Sequence, residues 1–305
     1  MLREELPCVG DYVMMQYDGS GPAMIEEVLP RHSKFSRADG FGHSFGHIKS
    51  NKEQLVAANF DYIFIMTSLN RDFNVNRVTR YLSQAWDSGG QPVVILTKTD
   101  LTEDYQAKLE AMQAAAPGVP VHAVSSHTGQ GLQELEEYQK PGKTLVFLGM
   151  SGVGKSSLLN ALMGEEVMVV QETRDVDASK GRHTTTHRQL LTLPSGAMII
   201  DTPGMRELGL LGADEGISAV FSDIEDLFEN CRFKDCQHNK EPGCAVHQAI
   251  AEGSLTQARW KQYQSQKAGN LYIEDKAAYM AKQASFHKNI QKYTRSMKKS
   301  GKIKK

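Results

Sequence analysis

The spacing of apolar residues changes along the chain and predicts three regions. Residues 11–17 and 23–29 are short β-prone runs separated by a turn-forming cluster, as in a small β-barrel fragment. From about residue 60, strands and helices alternate, which is typical of a parallel sheet with crossover helices. Beyond residue 245 the pattern is helical over residues 245–264 and 276–299. We therefore expect a β domain over residues 1–57, an α/β domain over 58–212 and a helical domain over 213–305.

The alternating region indicates an α/β fold whose central strands are apolar runs. These runs are residues 62–67, 92–96, 119–124, 144–148 and 198–200. Helical periodicity follows three of them, over residues 74–86, 101–115 and 155–163. Ligands in such sheets bind at the carboxyl ends of the strands, so the residues just after each strand are candidates for a binding site.

The segment after the fourth of these strands fits the phosphate-loop pattern G-x-x-x-x-G-K-[ST] at a strand-to-helix turn. Its glycines let backbone N–H groups converge on phosphate oxygens, Lys155 can reach the β- and γ-phosphates, and Ser156 can ligate Mg²⁺. A glycine-rich surface turn is the plainer alternative. The residues expected to bind the phosphates are Gly149, Met150, Ser151, Gly152, Val153, Gly154, Lys155, Ser156 and Ser157.

Two other strands end in residues suited to guanine. The second strand is followed by Thr97, Lys98, Thr99 and Asp100. The Asp100 carboxylate can accept both N1–H and the exocyclic N2–H of guanine, whereas adenine offers no such paired donors, so we expect GTP rather than ATP. The third strand is followed by Ser125 and Ser126, where a backbone amide can meet the guanine oxygen.

The last strand and the polar segment before it supply candidate switch residues. Asp201 would hold the Mg²⁺ shell and the Gly204 amide would sense the γ-phosphate. Within residues 172–187, which suit a mobile switch, Thr185 would complete the metal shell. Met205 stands where Ras-like enzymes carry a water-positioning glutamine, so we expect slow intrinsic hydrolysis and assign the attacking water to His183 or to a partner. Taken singly, such motifs are common in surface turns.

A cysteine cluster predicts a metal site in the third region. Cys231, Cys236, His238 and Cys244 form the pattern C-x4-C-x-H-x5-C, a Cys₃His set that suits one structural, tetrahedral zinc ion. Free thiols in a loop are the alternative, and His247 is a competing ligand. Cys8 is left over and is expected to be a small apolar residue.

Composition and charge add a partner class. The 305 residues are 40% hydrophobic and include neither an 18-residue apolar run nor a secretory signal, so we expect a cytoplasmic protein outside the membrane. Nine of the 35 basic residues and none of the 36 acidic residues lie in 282–305. This tail and the basic, aromatic segment 31–37, which we expect to be a loop, are typical of RNA contact, against the alternative of solvated surface.

The order of the motifs is permuted. In Ras-like GTPases the phosphate loop comes first, but here the guanine elements precede it and the switch elements follow it. Three further features support a family resemblance: the cysteine cluster, the run Thr67-Ser68-Leu69-Asn70-Arg71-Asp72-Phe73-Asn74, and the string Gly181-Arg182-His183-Thr184-Thr185-Thr186. With the permuted order, they make the chain resemble the ribosome small-subunit-dependent GTPase A family (RsgA, also called YjeQ). The resemblance extends from about residue 7 to beyond residue 244.

The resemblance implies an N-terminal OB-fold β-barrel, a circularly permuted GTPase and a C-terminal zinc domain. It also implies a monomer that acts late in maturation of the 30S ribosomal subunit, contacts 16S rRNA, and hydrolyses GTP when stimulated by the subunit. The cofactors implied are GTP or GDP, Mg²⁺ and one Zn²⁺. Two alternatives stay open: an ATP-using phosphate-loop protein, and an RNA-binding module that uses GTP as a conformational ligand with little turnover.

Two departures from the family pattern affect these expectations. Members usually have more chain before the stretch that starts here at Pro7, equal to about two strands, so either the barrel is incomplete or the start is internal. Thr97 stands where most GTPases have asparagine, which we expect to weaken the contact to the base while leaving Asp100 in place.

Overall fold

The computed structural model describes residues 6–17, 19, 21–38, 53–70, 72–168, 189–201, 214–239 and 241–274. Within these ranges the strands are β1 Val13–Gln16, β2 Met24–Val28, β3 Lys34–Ala38, β4 Glu53–Ala58, β5 Tyr62–Ser68, β6 Gln91–Thr97, β7 Val121–Val124, β8 Thr144–Gly149, β9 Gln189–Thr192 and β10 Met198–Asp201. The α-helices are α1 Val75–Asp87, α2 Gln106–Ala115, α3 Lys155–Met163, α4 Asp214–Val220, α5 Ser222–Glu225, α6 Ala245–Glu252 and α7 Gln257–Glu274.

The centre of the fold is a six-stranded sheet with the order β7-β6-β5-β8-β10-β9. The first five strands are parallel, and β9 runs antiparallel to β10 at the edge. The predicted α/β class and its five parallel strands are thus confirmed. The sequence pattern did not predict β9, which has four residues and is mostly exposed.

Alternation along β5 directs its side chains into two separate cores. Ile63 and Ile65 pack with α1 on one face, and Phe64 and Met66 pack with α3 on the other. Because both faces are covered, β5 is an almost continuous buried apolar run, as expected for a central parallel strand. The phosphate-loop helix and α1 therefore lie on opposite faces.

The four N-terminal strands form two antiparallel pairs, β1 with β2 and β3 with β4. The segment 31–37 is not the loop that the sequence suggested, because most of it forms β3. Phe35 is only 3% exposed and its ring lies 5.9 Å from that of Phe60. Arg31 pairs with Asp11 at 2.6 Å. Burial of the Phe35 ring therefore joins this segment to the main apolar core.

The C-terminal helices pack on α1 through a contact that we call the α1–α7 seam. At its centre α4 touches the α1 backbone, and a Cβ added to Gly216 would lie 1.7 Å from the Ser83 carbonyl oxygen. Two hydrogen bonds join α7 to α1. Gln262 Nε2 donates to Thr79 Oγ1 at 2.8 Å, and in a buried contact Ser83 Oγ donates to Gln266 Oε1 at 2.9 Å. Apolar residues of α4 and α7 share one cluster with α1 and β5.

Two helices begin or end at other residues than the sequence pattern predicted. The helical run predicted from residue 245 to 264 is two helices, because Gly253 adopts a left-handed conformation (φ 80°) that ends α6. The helix predicted from residue 101 starts at Gln106, after a short 3-10 turn at Thr99–Leu101. Among the described helices, none is both long and apolar enough to cross a bilayer.

Candidate functional site

The predicted site residues meet at one edge of the sheet. Strands β6, β7, β8 and β10 are parallel and end at Thr97, Val124, Gly149 and Asp201. Their carboxyl ends therefore lie along one edge, with the end of β5 between those of β6 and β8, as expected for a ligand site in an open α/β sheet. We call residues 97–100 the guanine loop, residues 125–131 the serine loop and residues 149–157 the phosphate loop. These three loops follow β6, β7 and β8, and Asp201 is the last residue of β10.

The phosphate loop connects β8 to α3 through two glycines in the left-handed region. Gly152 has φ 77° and Gly154 has φ 103°, conformations that a residue with a Cβ rarely adopts. Gly149 packs so tightly against β5 that an added Cβ would lie 2.6 Å from the Met66 carbonyl oxygen. These constraints explain why glycine occupies these positions, and they hold the loop close to the sheet.

Lys155 begins α3 and folds back over the loop. Its Nζ donates to the carbonyl oxygens of Gly149 and Met150, both at 2.7 Å. Ser156 and Ser157 follow in the first turn of the helix, where backbone N–H groups lack partners within the helix. An ammonium and a helix N-terminus at one turn form a site for an anion such as a phosphate.

The guanine loop and the serine loop contact each other through Asp100. Ser125 is fully buried, and its hydroxyl donates to Asp100 Oδ1 at 2.6 Å. The same hydroxyl oxygen accepts the backbone N–H of His127 and of Thr128 at 3.2 and 3.1 Å. Within the described part of the chain, Asp100 Oδ2 accepts no hydrogen bond, so one oxygen of this exposed carboxylate stays available for a base.

A second link between these loops was not predicted. Gln130 lies in the serine loop, and its Oε1 accepts the Thr99 hydroxyl at 3.0 Å while its Nε2 donates to the Tyr105 hydroxyl at 2.9 Å. The sequence shows Gln130 only as a polar residue between two glycines, so no local pattern indicated this role. The link fixes the spacing of the two loops.

The phosphate loop also contacts α1. The Tyr81 hydroxyl donates to Met150 Sδ at 3.7 Å, and burial raises the pKa of the Tyr81 hydroxyl, which therefore stays protonated at neutral pH. Tyr81 lies on the helix that also forms the α1–α7 seam. The loop is thereby in contact with the element on which the C-terminal helices pack.

The switch residues are only partly described. Asp201 closes β10 beside β8 and is paired in register with Gln189 of β9. This places its carboxylate at the same sheet edge as the phosphate loop. His183, Thr185, Gly204 and Met205 lie outside the described residues, as does the basic segment 282–305.

The four predicted metal ligands come together. One ligand atom from each of Cys231, Cys236, His238 and Cys244 lies within 4.8 Å of the others. His238 Nδ1 is 3.6 Å from Cys231 Sγ and 3.5 Å from Cys244 Sγ. This donor set and closeness fit a tetrahedral zinc ion with no open coordination position.

The surroundings of the cluster suit metal binding. Burial lowers the pKa of His238, which favours the neutral imidazole that binds a metal. Burial and hydrogen bonds with the neighbouring thiols raise the pKa of Cys236 to about 11, a shift that a bound cation would reverse. The Ala245 N–H donates to Cys231 Sγ at 3.4 Å, and the Phe228 ring stacks on His238 with centroids 4.2 Å apart.

The competing ligand is directed elsewhere. His247 lies on α6, and its Nε2 is 3.1 Å from the His238 carbonyl oxygen, so it contacts the backbone of the cluster rather than joining the ligand set. Cys8 lies outside the cluster, in the N-terminal segment. The Cys₃His choice made from spacing therefore agrees with the geometry.

Comparisons with known proteins identify a family. A family model described as RsgA GTPase matches residues 28–211. The small ribosomal subunit biogenesis GTPase RsgA 2 of Listeria monocytogenes is 46% identical over 280 residues, covering 92% of this chain and 75% of the relative. The small ribosomal subunit biogenesis GTPase RsgA of Streptomyces avermitilis is 48% identical over 259 residues, covering 84% and 67%.

Two solved structures are similar along most of the chain. YjeQ from Thermotoga maritima is 28% identical with a TM-score of 0.62, covering 88% of this chain and 86% of its own. YloQ, described as a circularly permuted GTPase, is 26% identical with a TM-score of 0.60, covering 89% and 82%. The observed order of motifs and strands agrees with that description.

Proposed function

The chain belongs to the RsgA GTPase family, and from this membership we propose that it is a GTP hydrolase that acts in biogenesis of the small ribosomal subunit. The observation that carries the proposal is the contact of Asp100 with Ser125 at the same sheet edge as the phosphate loop. This edge combines an acceptor for the donor edge of guanine with a cradle for phosphates.

Each site residue has a proposed role that its position supports. Asp100 accepts N1–H and N2–H of guanine, and the Ser126 backbone N–H donates to the guanine oxygen. The loop from Gly149 to Ser157 holds the phosphates, with the Lys155 ammonium released from its carbonyl partners to the β- and γ-phosphates. Catalysis then rests on positioning and charge neutralisation.

The donor set at the phosphate edge also fits Mg²⁺, which would neutralise charge on the β- and γ-phosphates when bound. Ser156 and Thr185 would be ligands, and Asp201 would hold the water shell of the ion. The Gly204 N–H would sense the γ-phosphate. The Cys₃His cluster would hold one zinc ion with a structural role.

The domain plan is part of the proposal. We assign residues 1–57 to an OB-fold-like domain, 58–212 to the permuted GTPase and 213–305 to the zinc domain. The two bulged antiparallel pairs β1–β2 and β3–β4 support the first assignment. We further propose that the protein is a cytoplasmic monomer and that its basic C-terminal segment contacts 16S rRNA. It would act late in maturation of the subunit.

The direct test is phosphate release with and without purified 30S subunits. We expect stimulation of at least about tenfold, since a partner can complete a GTPase site that lacks its own water-positioning group. Lys155→Ala is the matched inactive control. GTP binding without stimulated release would instead favour an RNA-binding module, and equal competition by ATP and GTP would favour an ATP-using protein.

A second prediction concerns the attacking water. His183→Ala should lower single-turnover release in the presence of 30S subunits by about 100-fold, because Met205 offers no polar group to orient water. His187→Ala, from the same segment, is the control and should keep the wild-type rate. An unchanged rate in His183→Ala would remove His183 from this role.

A further inference from the structure

Thr97 lies where the guanine loop meets the phosphate loop. It is the last residue of β6, only 2% exposed, and its hydroxyl donates to the Val153 carbonyl oxygen at 2.6 Å. The next acceptor is another backbone carbonyl, that of Thr67, at 3.5 Å. A threonine hydroxyl has one proton to donate, so the short bond to Val153 engages it.

The neighbouring side chain makes a parallel contact. Lys98 adopts a left-handed conformation (φ 63°), and its Nζ donates to the Gly152 carbonyl oxygen at 2.7 Å. Consecutive side chains of the guanine loop thus hold consecutive carbonyl groups of the phosphate loop. A Cβ added to Gly154 would lie 3.8 Å from Thr97 Oγ1, so the hydroxyl sits beside the turn into α3.

This arrangement limits how Thr97 can take part in base recognition. Guanine presents O6 and N7 as acceptors, and N1–H and N2–H as donors. The proposed roles of Asp100 and the serine loop use the two donors and O6, which leaves N7. A hydroxyl that already donates to Val153 has no second proton for N7.

We propose that Thr97 is a positioning residue that fixes the phosphate loop to the guanine loop, and that its hydroxyl makes no hydrogen bond to guanine N7 in the bound state. The inference rests on the proposed binding of guanine nucleotides. It changes the expectation from sequence alone, because the hydroxyl acts on the phosphate loop rather than as a weak substitute at the base.

The test is a cycle of two ligands and three variants. Dissociation constants are measured for GDP and for 7-deaza-GDP, which lacks the N7 acceptor. The wild-type protein should bind both within about twofold. Thr97→Val, which keeps the shape but leaves the buried Val153 carbonyl unpaired, should weaken both by the same factor, about 5- to 10-fold. Thr97→Ser should restore both affinities.

Thr67→Val is the matched control, because Thr67 is equally buried on the neighbouring strand and its hydroxyl donates to the Asp72 carbonyl oxygen at 3.3 Å instead. It should bind GDP as the wild type does. Melting temperatures and zinc content establish that each variant is folded. If Thr97→Val does not fold, the wild-type comparison carries the test, because a loss of more than about fivefold for 7-deaza-GDP would then overturn the inference.

Two results would overturn the inference. The first is a loss for 7-deaza-GDP of more than about fivefold in the wild type that disappears in Thr97→Val, which would mean that the hydroxyl reads N7. The second is an unchanged affinity for both ligands in Thr97→Val. If GDP binds no better than ADP to the wild type, the proposed function itself has failed, and this outcome is separate from the other two.

Discussion

Asp100→Asn should lower the affinity for GDP by at least about 100-fold, because an amide cannot accept both guanine donors. The same change should improve binding of xanthosine diphosphate, whose O2 carbonyl can accept from the new amide while the amide oxygen accepts N1–H. The amide oxygen can still accept the Ser125 hydroxyl, so the loops should keep their contact. Titration calorimetry with both nucleotides and ADP measures the switch.

The control for this change is a neighbouring acid. Glu103 is exposed three residues further along, and Glu103→Gln removes the same charge outside the Asp100–Ser125 contact. It should leave all three affinities unchanged. Retention of GDP preference by Asp100→Asn would show that the guanine assignment is incorrect.

Cys244→Ala should abolish zinc binding and lower the melting temperature by about 10 °C. Cys244 is buried, directly precedes α6 and lies 3.5 Å from His238 Nδ1. Its loss leaves three ligands, and the stability that a bound ion gives to the folded state is lost with it. Mass spectrometry of metal content should give about one zinc ion per wild-type chain.

Cys8→Ser is the matched control, since Cys8 lies outside the ligand set. It should keep the wild-type zinc content and melting temperature. Full zinc content in Cys244→Ala would contradict the Cys₃His assignment. The assignment would also be contradicted if the purified wild-type chain contained no zinc and its melting temperature did not change on treatment with a chelator.

Much of the nucleotide edge could be predicted from sequence because its chemistry is local. The phosphate loop is a continuous string, Asp100 lies three residues after β6, and Ser125 directly follows β7. Parallel strands bring such residues to one edge whatever their order along the chain. The cysteine cluster is equally local, and its spacing indicated the four residues that come together, with His247 as the competing candidate.

The remainder depends on contacts between distant segments. Thr97 looked like a weakened base contact because its partner, Val153, is 56 residues away. Strand β9 is short and exposed, and only pairing with β10 makes it a strand. Phe35 lies among basic residues that resemble a loop, but its burial against Phe60 is decided by the fold.

The α1–α7 seam has a consequence for how the molecule unfolds. The backbone contact of Gly216 with Ser83 and the hydrogen bonds of Gln262 and Gln266 join α4 and α7 to α1, and these helices share one apolar cluster with the central sheet and the cysteine cluster. We therefore expect these helices and the sheet to unfold as a single cooperative unit rather than as two independently melting ones. Calorimetry should record one transition for the helices and the sheet. Removal of zinc by a chelator should also lower the temperature at which the phosphate loop unfolds.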